Sequence, residues 1–285
     1  MGRSLAMVAA IGLLLQTPQQ QMPVFRTNAD LVVVYPLVTS DAGRLITSLN
    51  AEDFTILDNG KAVPVTTFSN DTQPITAVLL LDMSASMDDS LVRVRESAAR
   101  MIDAMLPVDR LRVGTFGSEV VLSPLLTSDK NVLRRVLREE LWPGGSTPLW
   151  NALGVGMQSL SNETGRRTIV VVTDGVDTSN LSQAAVIDRA IKGQFMTYAI
   201  ALEGKGLSQR MIGLITDTGG GYFDLKRKDD LGAAFVQVAA ELRHQYLVGF
   251  TPADLDGKAH TLEVRINTPG MRARAARSFV SPIRK

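Results

Sequence analysis

Five short strand-like runs constrain this chain more than anything else in it. They occupy residues 77–81 (AVLLL), 111–116 (LRVGTF), 168–172 (TIVVV), 196–202 (MTYAIAL) and 221–224 (GYFD). Each has the length of a strand and falls short of a packed helix. Amphipathic stretches lie between them. Leu91, Val94, Ala98, Met101, Ile102 and Met105 recur at three- and four-residue steps, which puts them on one helix face. Ser182 is placed to cap a helix over 183–192, and Asp229 or Asp230 to cap one reaching Arg243. This alternation predicts an α/β fold with a doubly wound, mostly parallel sheet covered by helices on both faces. Gly117-Ser118, between 111–116 and 120–122, predicts one hairpin and an antiparallel edge strand.

The flanks differ in kind. Residues 30–43 (DLVVVYPLVTSDAG) are rich in β-branched side chains and end in a turn. Residues 53–69 (DFTILDNGKAVPVTTFS) set Asp58-Asn59-Gly60 between two alternating runs, a strong hairpin signal. After residue 244, YLVGFTP, HTLEVRIN and ARSFVS are short β runs separated by turn clusters. Neither flank has the strands for a sandwich, but together they do. The expected organisation is a small β-sandwich domain in two halves, 23–74 and 244–285, with the α/β domain, 75–243, inserted between them.

The first residues, MGRSLAMVAAIGLLLQTPQQQ, place Arg3 before an apolar run over 5–15 and a polar Gln/Pro stretch. That is the layout of a secretory signal. The run is shorter than the roughly 20 residues of a spanning helix, and no small-x-small cleavage site follows it. Residues 1–22 therefore read as a signal peptide or an uncleaved anchor. The protein is expected to be secreted, periplasmic or in the cell envelope, with any membrane contact made through that anchor alone.

Composition narrows the chemistry. There is no cysteine, which excludes disulfides, thiolate nucleophiles, zinc-thiolate sites and iron–sulfur clusters. The two histidines, His244 and His260, cannot supply a histidine-rich metal site, and they read as belonging to the surface or interface of the β domain. A net charge of +1 points to no nucleic-acid partner. The alternating arginines of 271–279 (MRARAARSF) read as a solvated strand face.

Ligands of open parallel sheets gather beyond the carboxyl ends of the strands. Three polar clusters are expected there: Asp82-Met83-Ser84-Ala85-Ser86, the loop 143–150 (PGGSTPLW), and 170–179 (VVVTDGVDTS). They offer carboxylates and hydroxyls, without nitrogen or sulfur ligands. Such a set suits a hard cation, Mg²⁺ or Mn²⁺ before Ca²⁺. Several of these residues also have structural readings. Asp82 could cap a helix from about Ser90, and Ser84 and Ser86 could fold the turn back on itself. Thr147 before Pro148 could be a helix N-cap, and Asp174-Gly175 is a common turn pair. Asp177 either tunes the site or is exposed. Asp88 and Asp89 read as helix-start charges, and Trp142 and Trp150 as packing.

Asp82-x-Ser84-x-Ser86, Thr147 in a Gly-Gly-Ser-Thr loop and Asp174 in Thr-Asp-Gly, in that order, resemble the metal-ion-dependent adhesion site of von Willebrand factor type A domains. The flanks 31–61 (LVVVYPLVTSDAGRLITSLNAEDFTILDNGK) and QYLVGFTP…DGKAHTLEVRI resemble segments that frame a related A domain in secreted bacterial proteins. The ending RAARSFV departs from the Gly-Tyr expected there and leaves the pairing of the last strand open. The resemblance implies that Ser84, Ser86 and Thr147 ligate the ion through hydroxyls, with Asp82 and Asp174 behind, holding coordinated waters. The last ligand would be an Asp or Glu carboxylate of a protein partner. It also implies that the last helix of the A domain, about 228–243, couples the site to the strand that follows.

Two other classes compete with this metal-dependent, non-enzymatic binding module. One is a metal-dependent phosphotransferase or hydrolase. Phosphoaspartyl enzymes need a second acid where Ser84 stands and a lysine near the sheet edge, and no lysine lies in the three clusters. The Gly144-Gly145-Ser146-Thr147 loop lacks the lysine and spacing of a P-loop, and no G-x-S-x-G is present. The other is a structural envelope protein with a vestigial site.

Overall fold

The computed structural model describes residues 30–139, 144–174, 177–202, 206–227 and 230–283. The leader over 1–22, Trp142, Pro143, Gly175, Lys228, Asp229 and the side chain of Asp88 lie outside the described residues.

In chain order, β1 (Val32–Val34), β2 (Leu37–Ser40), β3 (Phe54–Asp58), β4 (Lys61–Val63) and β5 (Val65–Ser69) come first. There follow β6 (Thr76–Asp82), α1 (Leu91–Asp103), β7 (Arg110–Phe116), β8 (Val120–Leu122), α2 (Lys130–Glu139), α3 (Leu149–Ser159) and β9 (Arg167–Thr173). Then come α4 (Gln183–Lys192), β10 (Phe195–Leu202), α5 (Gln209–Asp217), β11 (Tyr222–Leu225) and α6 (Leu231–Arg243). The chain closes with β12 (Leu247–Phe250), β13 (Ala259–Ile266), β14 (Met271–Arg274) and β15 (Ser278–Val280).

The expected doubly wound sheet is present, in the order β11-β10-β9-β6-β7-β8. Its pairs are parallel except β7–β8, the predicted hairpin. The run 77–81 is apolar without alternation because both its faces are buried. Ala77, Leu79 and Leu81 join a core with Val94, Met101 and Ile102 of α1 and Phe235 and Val238 of α6. Val78 and Leu80 face the other way, onto Leu153 and Met157 of α3 and Val186 of α4. Ser182 caps α4 as expected, accepting from the Ala185 amide. Asp230 occupies the N-cap position of α6 without a side-chain cap bond.

The flanks interleave. β1 and β5 from the first half sandwich β12 from the second, all antiparallel, and a second sheet runs β15-β13-β3-β4. Both sheets close on one core that includes Val32, Phe54, Ile56, Val248, Phe250, Leu262 and Phe279. The turn at Asn59-Gly60 has positive φ at both residues, 47° and 81°, the backbone of a tight two-residue hairpin.

Several expectations need correction. The run 30–43, read as β without a strand count, holds two strands, separated at Pro36, which lacks the amide that a continuous ladder needs. The fifth strand runs one residue later than expected, Tyr222–Leu225, although the Gly221 carbonyl still accepts from the Ala199 amide at 3.0 Å. The open pairing of the last strand is antiparallel, β15 on β13. Arg272 is solvated, but Arg274 is not: it bonds Glu241 of α6 and, at 3.0 Å, the Tyr198 hydroxyl of β10. His260 is buried, not at the surface, with Nδ1 2.6 Å from Asp58 and Nε2 3.1 Å from Asp256. His244 is exposed.

Candidate metal centre

β6 is where the sheet reverses its winding. The chain leaves it for β7 on one side and returns to its other side as β9. The crevice outside the carboxyl ends of β6 and β9 is thus the topological switch point, where such sheets bind ligands. Leu81 is level with Val172 across the β6–β9 pair. The next residues along, Asp82 on one strand and Thr173 and Asp174 on the other, therefore emerge side by side.

Hydrogen bonds tie these tips together. Thr173 donates its hydroxyl to Asp82 Oδ2, and the Ser84 amide donates to Asp82 Oδ1 at 2.9 Å. The Ser86 hydroxyl donates to Asp174 Oδ1 at 2.9 Å, and Ser84 Oγ lies 3.2 Å from Ser86 Oγ. Asp82, Ser84, Thr147 and Asp174 are buried, whereas Ser86 is exposed at the rim. Burial raises the Asp82 pKa, hydrogen bonds from Ser84 and Thr173 oppose that, and the Asp174 charge adds to the rise.

The third cluster is stitched in by backbone. Gly144 N donates to Met83 O at 2.7 Å, Ser118 N to Gly144 O at 3.0 Å and Ala85 N to Gly145 O at 3.4 Å. Gly145 has φ +87°, and a Cβ there would lie 2.3 Å from Ser118 N. The loop sits this close to β6 and the β7–β8 turn only because that position has no side chain. Thr147 is held from the other side, its amide on Thr178 Oγ1 and its carbonyl accepting from the Thr178 amide, both at 2.9 Å.

The structural readings separate accordingly. Thr147 is not the cap of α3. Pro148 holds the N-cap position without a side-chain bond, and the amides of Trp150 and Asn151 donate instead to Ser179 Oγ at 2.8 and 3.3 Å. Asp177 Oδ1 accepts from the Ser179 hydroxyl at 2.5 Å, so Asp177 braces the helix start. Ser179 was missed in the sequence because it caps a helix that begins 30 residues earlier in the chain. Trp150 is fully buried packing, as expected, and Asp89 is exposed beside a 3-10 turn (Ala85–Ser90).

The rim therefore gathers two buried carboxylates and serine and threonine hydroxyls. Among the described residues, no group of three or more His, Cys, Asp or Glu could hold a metal. A cation here would rely on the hydroxyls as much as on the acids. This donor set fits a hard divalent cation: all oxygen, with adjacent negative charges that a positive ion would offset.

The family model described as the von Willebrand factor type A domain matches residues 77–176, which contain the whole of this rim except its outer brace. This segment is a von Willebrand factor type A domain. Solved structures share its architecture. A von Willebrand factor type A protein from Catenulispora acidiphila aligns at TM-score 0.55 and 12% identity, over 88% of this chain and 74% of that one. Proximal thread matrix protein 1 from the mussel byssus, with a zinc-occupied MIDAS motif, aligns at TM-score 0.52 and 14% identity, over 64% of this chain and 48% of that one. An aerotolerance-related membrane protein from Bacteroides fragilis aligns at TM-score 0.46 and 16% identity, over 59% and 99%. At these identities the likeness is one of fold. No curated protein matches the chain.

Proposed function

We propose that the A domain of this protein is an exported protein-binding module that grips an acidic side chain of its partner through a divalent cation. Ser84, Ser86 and Thr147 would hold the ion through their hydroxyls, with Asp82 and Asp174 behind them. The observation that carries this reading is the meeting of Asp82, Ser84, Ser86 and Asp174 at the switch point, joined through the Ser86–Asp174 bond. A bound divalent cation would supply a positive point charge with ligand positions left for water or a partner carboxylate. Mg²⁺ and Mn²⁺ suit the oxygen donors best, and the zinc-occupied motif of the mussel protein supports a metal on this fold. The exposed hydroxyl of Ser86 marks the side from which a partner approaches. Export rests on Arg3 and the apolar run over 5–15. Among the described residues no helix is long and apolar enough to cross a membrane.

Isothermal titration with Mg²⁺ on wild type and Asp82→Ala tests the metal, and equal affinity in the two would end the reading. A pull-down from envelope extract in Mg²⁺ or EDTA, with Thr147→Ala as control, tests the partner. Retention should need both the metal and Thr147.

We propose that α6 couples this site to the β region. Glu241 is bonded to Arg274 of β14, and the Leu242 carbonyl to Arg166. A shift of α6 would thus reach the β region if a ligand bound its two positions differently. Unchanged hydrogen exchange in α6 on adding Mg²⁺ and a carboxylate-bearing partner would rule this out.

A further inference from the structure

Thr147 reaches the metal rim by a different route from the other residues there. Asp82 ends β6, Ser84 and Ser86 follow directly after it, and Asp174 follows directly after β9. Thr147 lies in the stretch between α2 and α3, with no strand to carry it. Its backbone is fixed at both ends by one residue. The Thr147 amide donates to Thr178 Oγ1, and the Thr178 amide donates to the Thr147 carbonyl, both at 2.9 Å. Thr147 is 6% exposed, and among the described residues its own hydroxyl forms no hydrogen bond. The main chain is held while the side-chain oxygen is left for another ligand.

The residues on either side of Thr178 do a different job. Ser179 Oγ accepts from the amides of Trp150 and Asn151 at the start of α3, and Asp177 Oδ1 accepts from the Ser179 amide at 3.0 Å. Asp177 and Ser179 thus hold the helix, and Thr178 holds Thr147. Thr178 also follows Asp174 by four positions. One arm of the chain therefore carries an acid of the rim and grips the threonine that a separate loop brings to it. Thr178 is exposed, so it can be changed without opening the core.

We propose that Thr178 is a positioning residue that fixes the spacing between Thr147 and Asp174 and thereby selects the smaller divalent cation. This rests on the metal reading given above. Mg²⁺ demands near-octahedral oxygens at about 2.0–2.1 Å, whereas Ca²⁺ accepts irregular sets at about 2.3–2.6 Å. A Thr147 that drifts by the difference between these ranges is lost to Mg²⁺ and still reaches Ca²⁺.

Calorimetric titration of the full chain with Mg²⁺ and with Ca²⁺ tests this. Valine at 178 keeps the shape and the backbone amide and removes the acceptor. Thr178→Val should weaken Mg²⁺ about fivefold, the worth of one hydrogen bond. Its Ca²⁺ affinity should change by less than about twofold, because the larger ion tolerates irregular ligands. Thr178→Ser restores the hydroxyl and should bring back the wild-type ratio of the two affinities. Ser179→Ala should lower Tm through the start of α3 and leave that ratio unchanged, so lost stability and lost selection are told apart. In the metal-free protein, hydrogen exchange of the Thr147 amide should be faster in Thr178→Val than in wild type. Unchanged exchange, unchanged Mg²⁺ affinity, or equal weakening of both ions in Thr178→Val would each overturn this role and leave the metal reading standing. Wild type that binds neither ion would overturn both.

Discussion

The Ser86 hydroxyl donates to Asp174 across 88 positions of sequence, at 2.9 Å. That bond joins the first and last elements of the rim and brings Asp174 close enough to raise the pKa of buried Asp82, beside the larger effect of burial. Asp174→Asn removes one of two crowded negative charges. The metal-free variant should be at least as stable as wild type, by up to about 1 kcal/mol. Its stabilisation by metal should vanish, whereas wild type at a hundredfold excess over Kd should gain about 2.7 kcal/mol. Thermal melts at rising Mg²⁺ measure both. A metal-dependent rise in Tm that survives in Asp174→Asn would contradict the role given to this residue.

Gly145 tests the loop without touching a donor. Alanine there must hold φ near +87° and accommodate a Cβ 2.3 Å from Ser118 N. Gly145→Ala should cost about 2 kcal/mol in urea unfolding. Because the Ala85–Gly145 bond would stretch, Mg²⁺ affinity should fall as well. Metal binding equal to wild type would mean that Thr147 is placed by its Thr178 contacts alone.

How much of this could be read from sequence depends on the range of the interactions involved. The five-residue run at 77–81 showed a two-sided buried strand, and a polar cluster at its end had to fall at a sheet edge. Asp82, Ser84 and Ser86 were placed by that local logic and Asp174 by the same logic at the end of β9, whereas Thr147, between α2 and α3, was singled out by the resemblance. α2 passed unread because Leu133, Val136 and Leu137 are its whole buried face among charged residues. α5 was interrupted by Gly213. The flanks were harder. β3 pairs with β13 at Asp58–Leu262, and no local pattern sets a register across so much chain. Arg274 and His260 were misjudged for the same reason: their partners, Glu241 and Asp58, lie on elements brought near only by the tertiary fold.

His260 predicts a pH dependence. Burial would lower its pKa, but the hydrogen bonds and charges of Asp58 and Asp256 outweigh that, and the net shift is upward from 6.5. A raised pKa means that the folded state holds the proton more tightly. This stability is fully present below pH 6.5 and is lost as pH rises through the folded value. The urea midpoint should therefore fall on going alkaline from 6.5. His260→Gln should flatten that slope and cost about 3 kcal/mol at pH 6, because it leaves the Asp58 carboxylate buried without its partner. A midpoint of wild type that rises or stays level over this range would refute the assignment.

Arg166 joins three segments that meet where the A domain leaves and re-enters the β region. It donates to Pro74 before β6, to Leu242 at the end of α6 and to Gln245 before β12, and its guanidinium lies 5.6 Å from the ring centre of Tyr35. Nearby, Arg243 reaches the buried Asp109 at 3.2 Å, and Asp109 accepts from the Ile75 amide at 2.8 Å. Arg166→Met keeps most of the volume and removes every one of its donors. Those three oxygens are then left unsatisfied at a buried junction, at about 1–3 kcal/mol for each that water cannot reach. Because the lost bonds are those that join the two parts, urea unfolding should split into two transitions, one for the A domain and one for the β region, where wild type shows one. Tryptophan fluorescence follows the A domain, where Trp150 is buried, and hydrogen exchange of the Val248 and Leu262 amides follows the β core. Coincident transitions by both probes in Arg166→Met would show that the junction is held by its apolar contacts instead.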